Sequence, residues 1–158
     1  MKGWSMRWIL LTALSLLMCA PSVSRAQEYA SMEEARALAE KAAALIREAG
    51  KEAALPKFND PKGEFIYRDI YVFVIGFDGM MFAHGKPTVV GKNMLELKDA
   101  SGKYFVKEMA AFSKEGGKPG WVDYMFQNPA TGKIEPKSSY VIPFNDYYVG
   151  VGAYKTGK

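Results

Sequence analysis

Residues 70–84 read IYVFVIGFDGMMFAH, and this stretch predicts the centre of the fold. The run from Ile70 to Phe77 is apolar throughout and rich in β-branched and aromatic residues, which is typical of a central strand covered on both faces. The pair Asp78-Gly79 favours a two-residue hairpin turn, after which MMFAH returns as the partner strand. The stretch therefore predicts a buried antiparallel hairpin.

A two-residue turn also fixes which residues of this hairpin lie opposite each other. It places Ile75 opposite Phe82 and Phe73 opposite His84, the only histidine of the 158 residues. Tyr71 lies one diagonal step from His84 on the same face. The opposite face carries four hydrophobic residues that we assign to plain core: Val72, Val74, Met81 and Ala83.

Helices are predicted on both sides of this hairpin in the chain. The segment from Ser31 to Glu34 fits a capping box that begins a helix, and Gly50 weakens that helix before Pro56 ends it. Its apolar positions recur three or four residues apart and form one buried stripe: Ala35, Leu38, Ala42, Leu45 and Ala49. We expect two further helices, one beginning near Asn93 and one over residues 102–114.

Three more strands are predicted at residues 121–128, 133–142 and 147–154, separated by turn residues. The fold class is therefore α+β, with a long amino-terminal helix and short helices packed on an antiparallel sheet of about five strands. If residues 129–132 form a four-residue loop, Tyr124 faces Lys137 and Val122 faces Ser139. A bulge at Pro136 would instead exchange these partners.

The first 26 residues have the parts of a secretory signal: basic Lys2 and Arg7, the apolar run 9–18, and Ser24-Arg25-Ala26. Cleavage after Ala26 would leave residues 27–158 as one domain in the periplasm. Lipidation at Cys19 or a retained amino-terminal anchor are the alternatives. Without these 26 residues the chain has eighteen basic and seventeen acidic residues, so its charge gives no case for nucleic-acid binding.

Catalytic and metal sites find little support in the sequence. The predicted mature chain has one histidine and no cysteine, so neither a two-histidine metal site nor a cysteine–histidine dyad can form. No serine-nucleophile motif or phosphate-binding glycine loop is present. We therefore predict no enzyme activity and no cofactor. His84 and Lys137 could still be structural or solvated residues, and Arg68-Asp69 fits a surface charge pair.

Three segments together resemble a known family: YVFVIGFDGMMFAHGKPTVVGKNMLELKDASGKYFVKEM (residues 71–109), GWVDYMFQNPATGKIEPKSSYV (120–141) and YYVGVGAY (147–154). They are similar to the single Cache domain of the second type, an extracellular PAS-like sensor module. The resemblance extends over essentially all of residues 27–158. It implies a pocket between sheet and helices for a small molecule, such as acetate, propionate, lactate or pyruvate.

The resemblance also implies which residues contact such a ligand. His84 and Lys137 would donate to its carboxylate, because a carboxylate that leaves water needs charge-assisted hydrogen bonds. Aromatic residues would supply the walls and hydroxyl donors: Tyr71, Phe73, Trp121, Tyr124 and Tyr140. The family usually has a proline soon after the histidine, whereas here Gly85 and Lys86 precede Pro87, which implies a different loop over the pocket.

Two functions are consistent with the sequence. The first is periplasmic binding of a small organic acid by a monomer or weak dimer. It would act with a separate membrane receptor, sensor kinase or transporter, since the chain stops after its last strand. The alternative is a protein-interaction module whose amino-terminal helix docks onto a receptor or pairs with itself.

Overall fold

The computed structural model describes residues 29–155, which form three α-helices and a six-stranded antiparallel sheet. The predicted signal segment and its cleavage site lie outside these residues. The helices are α1 (Met32–Ala49), α2 (Lys51–Phe58) and α3 (Phe105–Gly116), with a short 3-10 helix at Pro87–Val89. The strands are β1 (Ile66–Tyr67), β2 (Ile70–Gly76), β3 (Met81–Ala83), β4 (Gly120–Gln127), β5 (Ile134–Pro143) and β6 (Tyr147–Tyr154).

The sheet has the strand order β1-β2-β6-β5-β4, and β3 pairs with the same edge of β2 as β1 does. Helices α1 and α2 cover one face, where a cluster of small and β-branched side chains includes Val72 and Val74. Helix α3 covers the other face, where a second cluster includes Phe73 and Ile75. Strand β2 is therefore buried on both faces, as its unbroken apolar run predicts.

Helix α1 begins with the predicted capping box. The Ser31 hydroxyl accepts the Glu34 N–H at 3.1 Å, and the Glu34 carboxylate accepts the Ser31 N–H at 2.7 Å. The fully buried stripe differs from the predicted one, because Ala49 is exposed and Leu38 and Leu45 are only half-buried. The buried positions are Ala35, Ala39, Ala42, Ala43 and Ile46, whose small side chains let the helix lie close to the sheet.

The predicted helix end at Pro56 is wrong. The chain breaks at Gly50, which has a φ of 85°, and α2 then continues through Pro56 to Phe58. The Phe58 ring is fully buried against Phe65, with ring centroids 4.7 Å apart. Burial of this ring, worth roughly 2 kcal/mol or more, compensates for the helical hydrogen bond that proline lacks.

The helix predicted near Asn93 is also wrong. The Asn93 side chain donates to the Asp78 carbonyl at 2.9 Å and accepts the Leu95 N–H at 2.9 Å. Such side-chain bonds to the backbone compete with helical hydrogen bonds. Residues 85–104, which we call the covering segment, contain the 3-10 helix at Pro87–Val89 and otherwise turns and irregular chain. Helix α3 accordingly begins at Phe105.

The predicted register of the first hairpin is wrong at the turn and right beyond it. The Gly76 N–H donates to the Met80 carbonyl, so the loop has three residues, and Ile75 pairs with Met81. A bulge at Phe82 then restores the predicted pairing of Val74 with Ala83. In consequence Met81 joins the cluster under α3, while Phe82 packs against the α1 face.

Strand β1 was missed because two residues carry no readable periodicity. It is joined to β2 by Arg68-Asp69, with Tyr67 opposite Ile70. The surface charge pair expected here is wrong, because Asp69 is completely buried and accepts the Ala30 N–H at 2.7 Å. Arg68 instead lies 3.6 Å from Glu34, with a φ of 53° in the left-handed region.

The register of β4 with β5 is as predicted, without a bulge at Pro136. Tyr124 lies opposite Lys137 and Val122 opposite Ser139, and the Asn128 N–H donates to the Lys133 carbonyl at 2.8 Å. Within residues 29–155 no helix combines the length and the apolar composition needed to span a bilayer.

Candidate functional site

A cavity of about 180 Å³ lies on the α3 side of the sheet. Its floor is formed by β2 and β4, one wall by α3, and its cover by side chains of the covering segment. Ten of its fourteen lining residues are apolar: Phe73, Ile75, Met81, Val89, Met94, Leu97, Phe105, Val106, Met109 and Phe126. The other four are Tyr71, His84, Lys86 and Tyr124. The cavity is thus mainly hydrophobic, with its polar groups on a few side chains.

The covering segment is held at both edges of the sheet. On the β3 side, the Met81 N–H donates to the Lys92 carbonyl, and the Met81 carbonyl accepts the Gly91 N–H. The Met94 N–H also donates to the Gly79 carbonyl. On the β4 side, the Asp99 carboxylate accepts the Met125 N–H at 2.9 Å. These bonds hold Val89, Met94 and Leu97 over the cavity.

Lys137 lies beneath one end of the cavity and is only 2% exposed. Its Nζ donates to the hydroxyls of Tyr71 and Tyr154, each at 3.3 Å. The same Nζ lies 4.5 Å from the ring centroid of each of these tyrosines and 5.4 Å from that of Phe126. Since Tyr71 and Phe126 line the cavity, one layer of side chains separates the ammonium group from it.

Strand pairing and a glycine explain how Lys137 reaches this position. It lies between Tyr124 on β4 and Tyr154 on β6, both directly opposite it. A Cβ on Gly152 would lie within 2.5 Å of the Lys137 Cε and closer still to the Ser139 hydroxyl. The absent side chain at Gly152 therefore leaves the space that Lys137 and Ser139 occupy.

The buried ammonium group is not part of an ion pair with any carboxylate of residues 29–155. Burial lowers the pKa of Lys137 to about 7, and the Asp69 carboxylate opposes this shift from a greater distance. Burial in turn raises the pKa of Asp69. A second anion close to Nζ would stabilise the charged form of the lysine.

His84 is a neutral donor at the rim. Its Nδ1 accepts the Lys86 N–H at 2.8 Å, so the ring proton resides on Nε2. Burial lowers the pKa of His84 to about 4, and the positive charge of Lys137 adds to this effect. The ring lies 4.5 Å from that of Tyr71, and the His84 backbone N–H is held by the Asn59 side chain at 3.1 Å.

The tyrosine hydroxyls around Lys137 have different roles. Tyr154 donates to the Gln127 carbonyl at 2.6 Å, and Tyr124 is bonded to the Ser139 hydroxyl at 2.9 Å. Tyr71 accepts from Lys137, which leaves its own O–H able to donate to a ligand. Burial raises the pKa of all three phenols, so each stays protonated.

The structure brings together five of the seven residues predicted for the site. Tyr71, Phe73, His84 and Tyr124 line the cavity, and Lys137 lies directly behind Tyr71. Trp121 and Tyr140 are not among the lining residues: they face each other across β4 and β5 on the α1 side, with ring centroids 5.0 Å apart. Successive side chains of a strand point to opposite faces of the sheet. Tyr140 is an odd number of residues from Lys137, so it points away from the cavity.

Tyr154 is the most important polar residue near the site that is not among the predicted site residues. A two-residue turn at Asn145-Asp146 would pair Phe144 with Tyr147, and counting back from that pair places Tyr154 opposite Lys137, as the structure does. The position of Tyr154 beside Lys137 was therefore predictable from the sequence. The apolar wall from α3, formed by Phe105, Val106 and Met109, had no such local signal because it depends on how that helix docks on the sheet.

In the described part of the chain, no three histidine, cysteine, aspartate or glutamate side chains converge as they would around a metal ion. The donors present at the cavity are an ammonium group, phenols and an imidazole N–H. Such donors are suited to an anionic group.

Comparison with protein families gives a match to the model of single Cache domain 2 over residues 23–156. The sensor histidine kinase MctS of Rhizobium johnstonii is 36% identical over 90 residues, which cover 55% of this chain and 19% of the kinase. The aligned part is thus a small fraction of that protein.

Solved structures with the same fold include a methyl-accepting chemotaxis protein from Vibrio parahaemolyticus, with a TM-score of 0.65 and 24% identity over 77% of this chain and 86% of that one. A Cache chemosensory domain studied for its recognition of carboxylic acids has a TM-score of 0.61 and 26% identity, over 78% of this chain and 88% of its own. The α+β, PAS-like fold expected from the sequence is therefore confirmed.

Proposed function

The chain belongs to the single Cache domain 2 family, and from this premise we propose that it binds a small organic acid in the cavity beside Lys137. One observation carries the proposal: a fully buried ammonium group lies next to a small cavity, with no carboxylate of the described residues in ion-pair distance. Removing a charge from water is costly unless it is paired. A ligand carboxylate would supply the missing partner.

The donors around the cavity support this assignment. The carboxylate would take the place of one tyrosine hydroxyl at Nζ and accept further bonds from the Tyr71 O–H and the His84 Nε2–H. The solved Cache domain that recognises carboxylic acids has the same fold, which is consistent with this ligand class. A ligand of about six non-hydrogen atoms gains at most roughly 9 kcal/mol, so we expect a dissociation constant near or above ~10⁻⁷ M.

The role is binding and sensing rather than catalysis. We assign the domain to the periplasm because of the secretory signal in the sequence, and we expect a membrane receptor or sensor kinase to respond to the bound state, as the likeness to MctS suggests. The alternative of a docking module gains no support from α1, since the buried stripe of that helix packs on its own sheet.

Calorimetry of the purified protein tests the proposal. We expect acetate, propionate, lactate or pyruvate to bind, and Lys137→Met to weaken binding by about 10- to 100-fold, because a charge-assisted hydrogen bond is lost. Methionine has a similar length but has neither the charge nor the N–H donors of lysine. Lys133→Met, at an exposed position of the same hairpin, is the matched control and should bind normally.

Two results would contradict the proposal. One is the absence of binding across the whole panel. The other is binding by Lys137→Met with the affinity of the unmodified protein.

A further inference from the structure

The cavity has one polar end and one apolar end. Tyr71, at the polar end, contacts Lys137 and His84. Phe73 and Ile75 follow on the same face of β2, each about 7 Å further along, so Ile75 lies about 13 Å from Tyr71. Met81 lies opposite Ile75 on β3. Beyond the aromatic floor, the far end is therefore closed by aliphatic and thioether side chains.

The volume is larger than the smallest acids require. An apolar cavity of about 150 Å³ holds benzene, which has six carbon atoms. A cavity of about 180 Å³ therefore suits roughly seven non-hydrogen atoms on the same scale. Acetate, with only four, would leave the Ile75 end unfilled.

The charges allow only one carboxylate inside. Among the lining residues Lys86 is the sole cation, and it is exposed at the rim beside His84, at the same polar end beneath which Lys137 lies. A second carboxylate near Ile75 and Met81 would be desolvated without a donor. Flexible methionines at positions 81, 94 and 109 instead provide a wall that adapts to an alkyl chain.

We propose that the site prefers monocarboxylates of four to six carbons, with the carboxylate towards Lys137 and the alkyl tail towards Ile75 and Met81. This inference rests on the proposed function and narrows its ligand class. It excludes dicarboxylates and ranks acetate as a weak ligand.

Titration of the purified protein with acetate, propionate, butyrate, pentanoate and hexanoate tests the chain-length preference. Each buried methylene should improve affinity about fourfold until the cavity is full. Succinate has the same number of carbons as butyrate but carries a second carboxylate. It should bind at least tenfold more weakly than butyrate.

A pair of matched variants tests the direction of the tail. Ile75 and Ile142 are both 3% exposed, but Ile142 faces α1 on the other side of the sheet. Ile75→Val should improve the affinity for hexanoate about fourfold relative to the affinity for butyrate, because it frees one methylene of space at the far end. Ile142→Val makes the same chemical change on the other side of the sheet and should leave the ratio of these two affinities unaltered.

The outcomes separate this inference from the proposed function. If acetate or succinate binds as tightly as butyrate, or if both valine variants shift the ratio equally, the chain-length inference fails while acid binding stands. If no acid of either panel binds, the proposed function fails and the inference fails with it.

Discussion

Gly152 decides at the scale of single residues whether Lys137 can occupy its position. Its extended backbone would accept any residue, so the requirement for glycine is purely steric. The space above Gly152 is filled by the Lys137 side chain and the Ser139 hydroxyl. Gly152 itself would not touch the ligand, but it determines whether the Lys137 ammonium group can lie where it would bind the ligand.

We expect Gly152→Ala to weaken carboxylate binding at least tenfold and to lower the free energy of unfolding by about 1 to 3 kcal/mol, since the added methyl group overpacks the site. Calorimetry and urea unfolding would measure the two effects. In a Lys137→Ala background the stability loss should be smaller by about 0.5 kcal/mol or more, because the Cε contact is gone. Equal losses in both backgrounds would show that Lys137 is not the group displaced.

Proton binding by Lys137 should make ligand affinity depend on pH. With a pKa of about 7 in the ligand-free protein, the ammonium form decreases above that pH. Since a carboxylate binds the charged form, we expect its affinity to fall as pH rises from 7 to 9, approaching tenfold per pH unit. Calorimetry at pH 8 in buffers of different ionisation enthalpy should also reveal proton uptake on binding. Constant affinity between pH 7 and 9 would argue against contact with Lys137.

At the scale of elements, Asp99 fixes the covering segment to the β4 edge of the sheet. This carboxylate accepts the N–H groups of Ser101, Lys103 and Met125, and the hydroxyl of Ser101. Desolvation is the largest single influence and acts to raise the pKa of Asp99, but the hydrogen bonds together outweigh it and lower the pKa to about 2. The bond to Met125 also occupies the open edge of β4, which could otherwise pair with another chain.

Asp99→Ala should therefore loosen the segment at β4, where the bond from the Lys103 side chain to the Asp123 carbonyl would remain. We expect a loss of about 1 to 3 kcal/mol in the free energy of unfolding, and faster hydrogen exchange at the Met125 amide, whose acceptor is removed. Asp60→Ala is the control, because that carboxylate accepts a single exposed N–H, from Lys62. Unchanged exchange at Met125 would mean that Asp99 does not hold the segment in place.

The elements also indicate how far the sequence could predict the structure. The β4–β5 register was predictable because Asn128 and Gly132 define a local loop and no bulge follows. The path of the covering segment was not, since Asn93 bonds to the loop between β2 and β3, and Asp99 bonds to β4. That Met81 rather than Phe82 faces the cavity could not be predicted either, because Asp78-Gly79 favours a two-residue turn but also fits the three-residue loop with a bulge that the structure has.

At the scale of the whole molecule, the buried charge of Lys137 affects global stability. The pKa of Lys137 lies below its ordinary value of 10.5, so between pH 7 and 10.5 the unfolded chain holds a proton that the folded protein has released. The free energy of unfolding must then increase with pH across this window. Ligand-free stability and carboxylate affinity should thus change with pH in opposite directions.

We expect the ligand-free protein to gain on the order of 2 kcal/mol of stability between pH 7 and pH 9. Urea unfolding at the two pH values would measure this gain. Lys137→Met should be more stable at pH 7 and should show little of the increase, whereas Lys133→Met should retain it. A decrease in stability over this range would contradict the assignment of a depressed lysine pKa.

The position of Trp121 has a practical consequence for optical assays. It is the only tryptophan among residues 29–155, it is 37% exposed, and it packs against Tyr140 on the side of the sheet away from the cavity, with the two rings tilted by 54°. Indole emission should therefore stay constant while an acid fills the site. The chromophores that border the site are phenols, so ultraviolet difference absorbance of the tyrosines, rather than tryptophan fluorescence, is the signal that should follow occupancy.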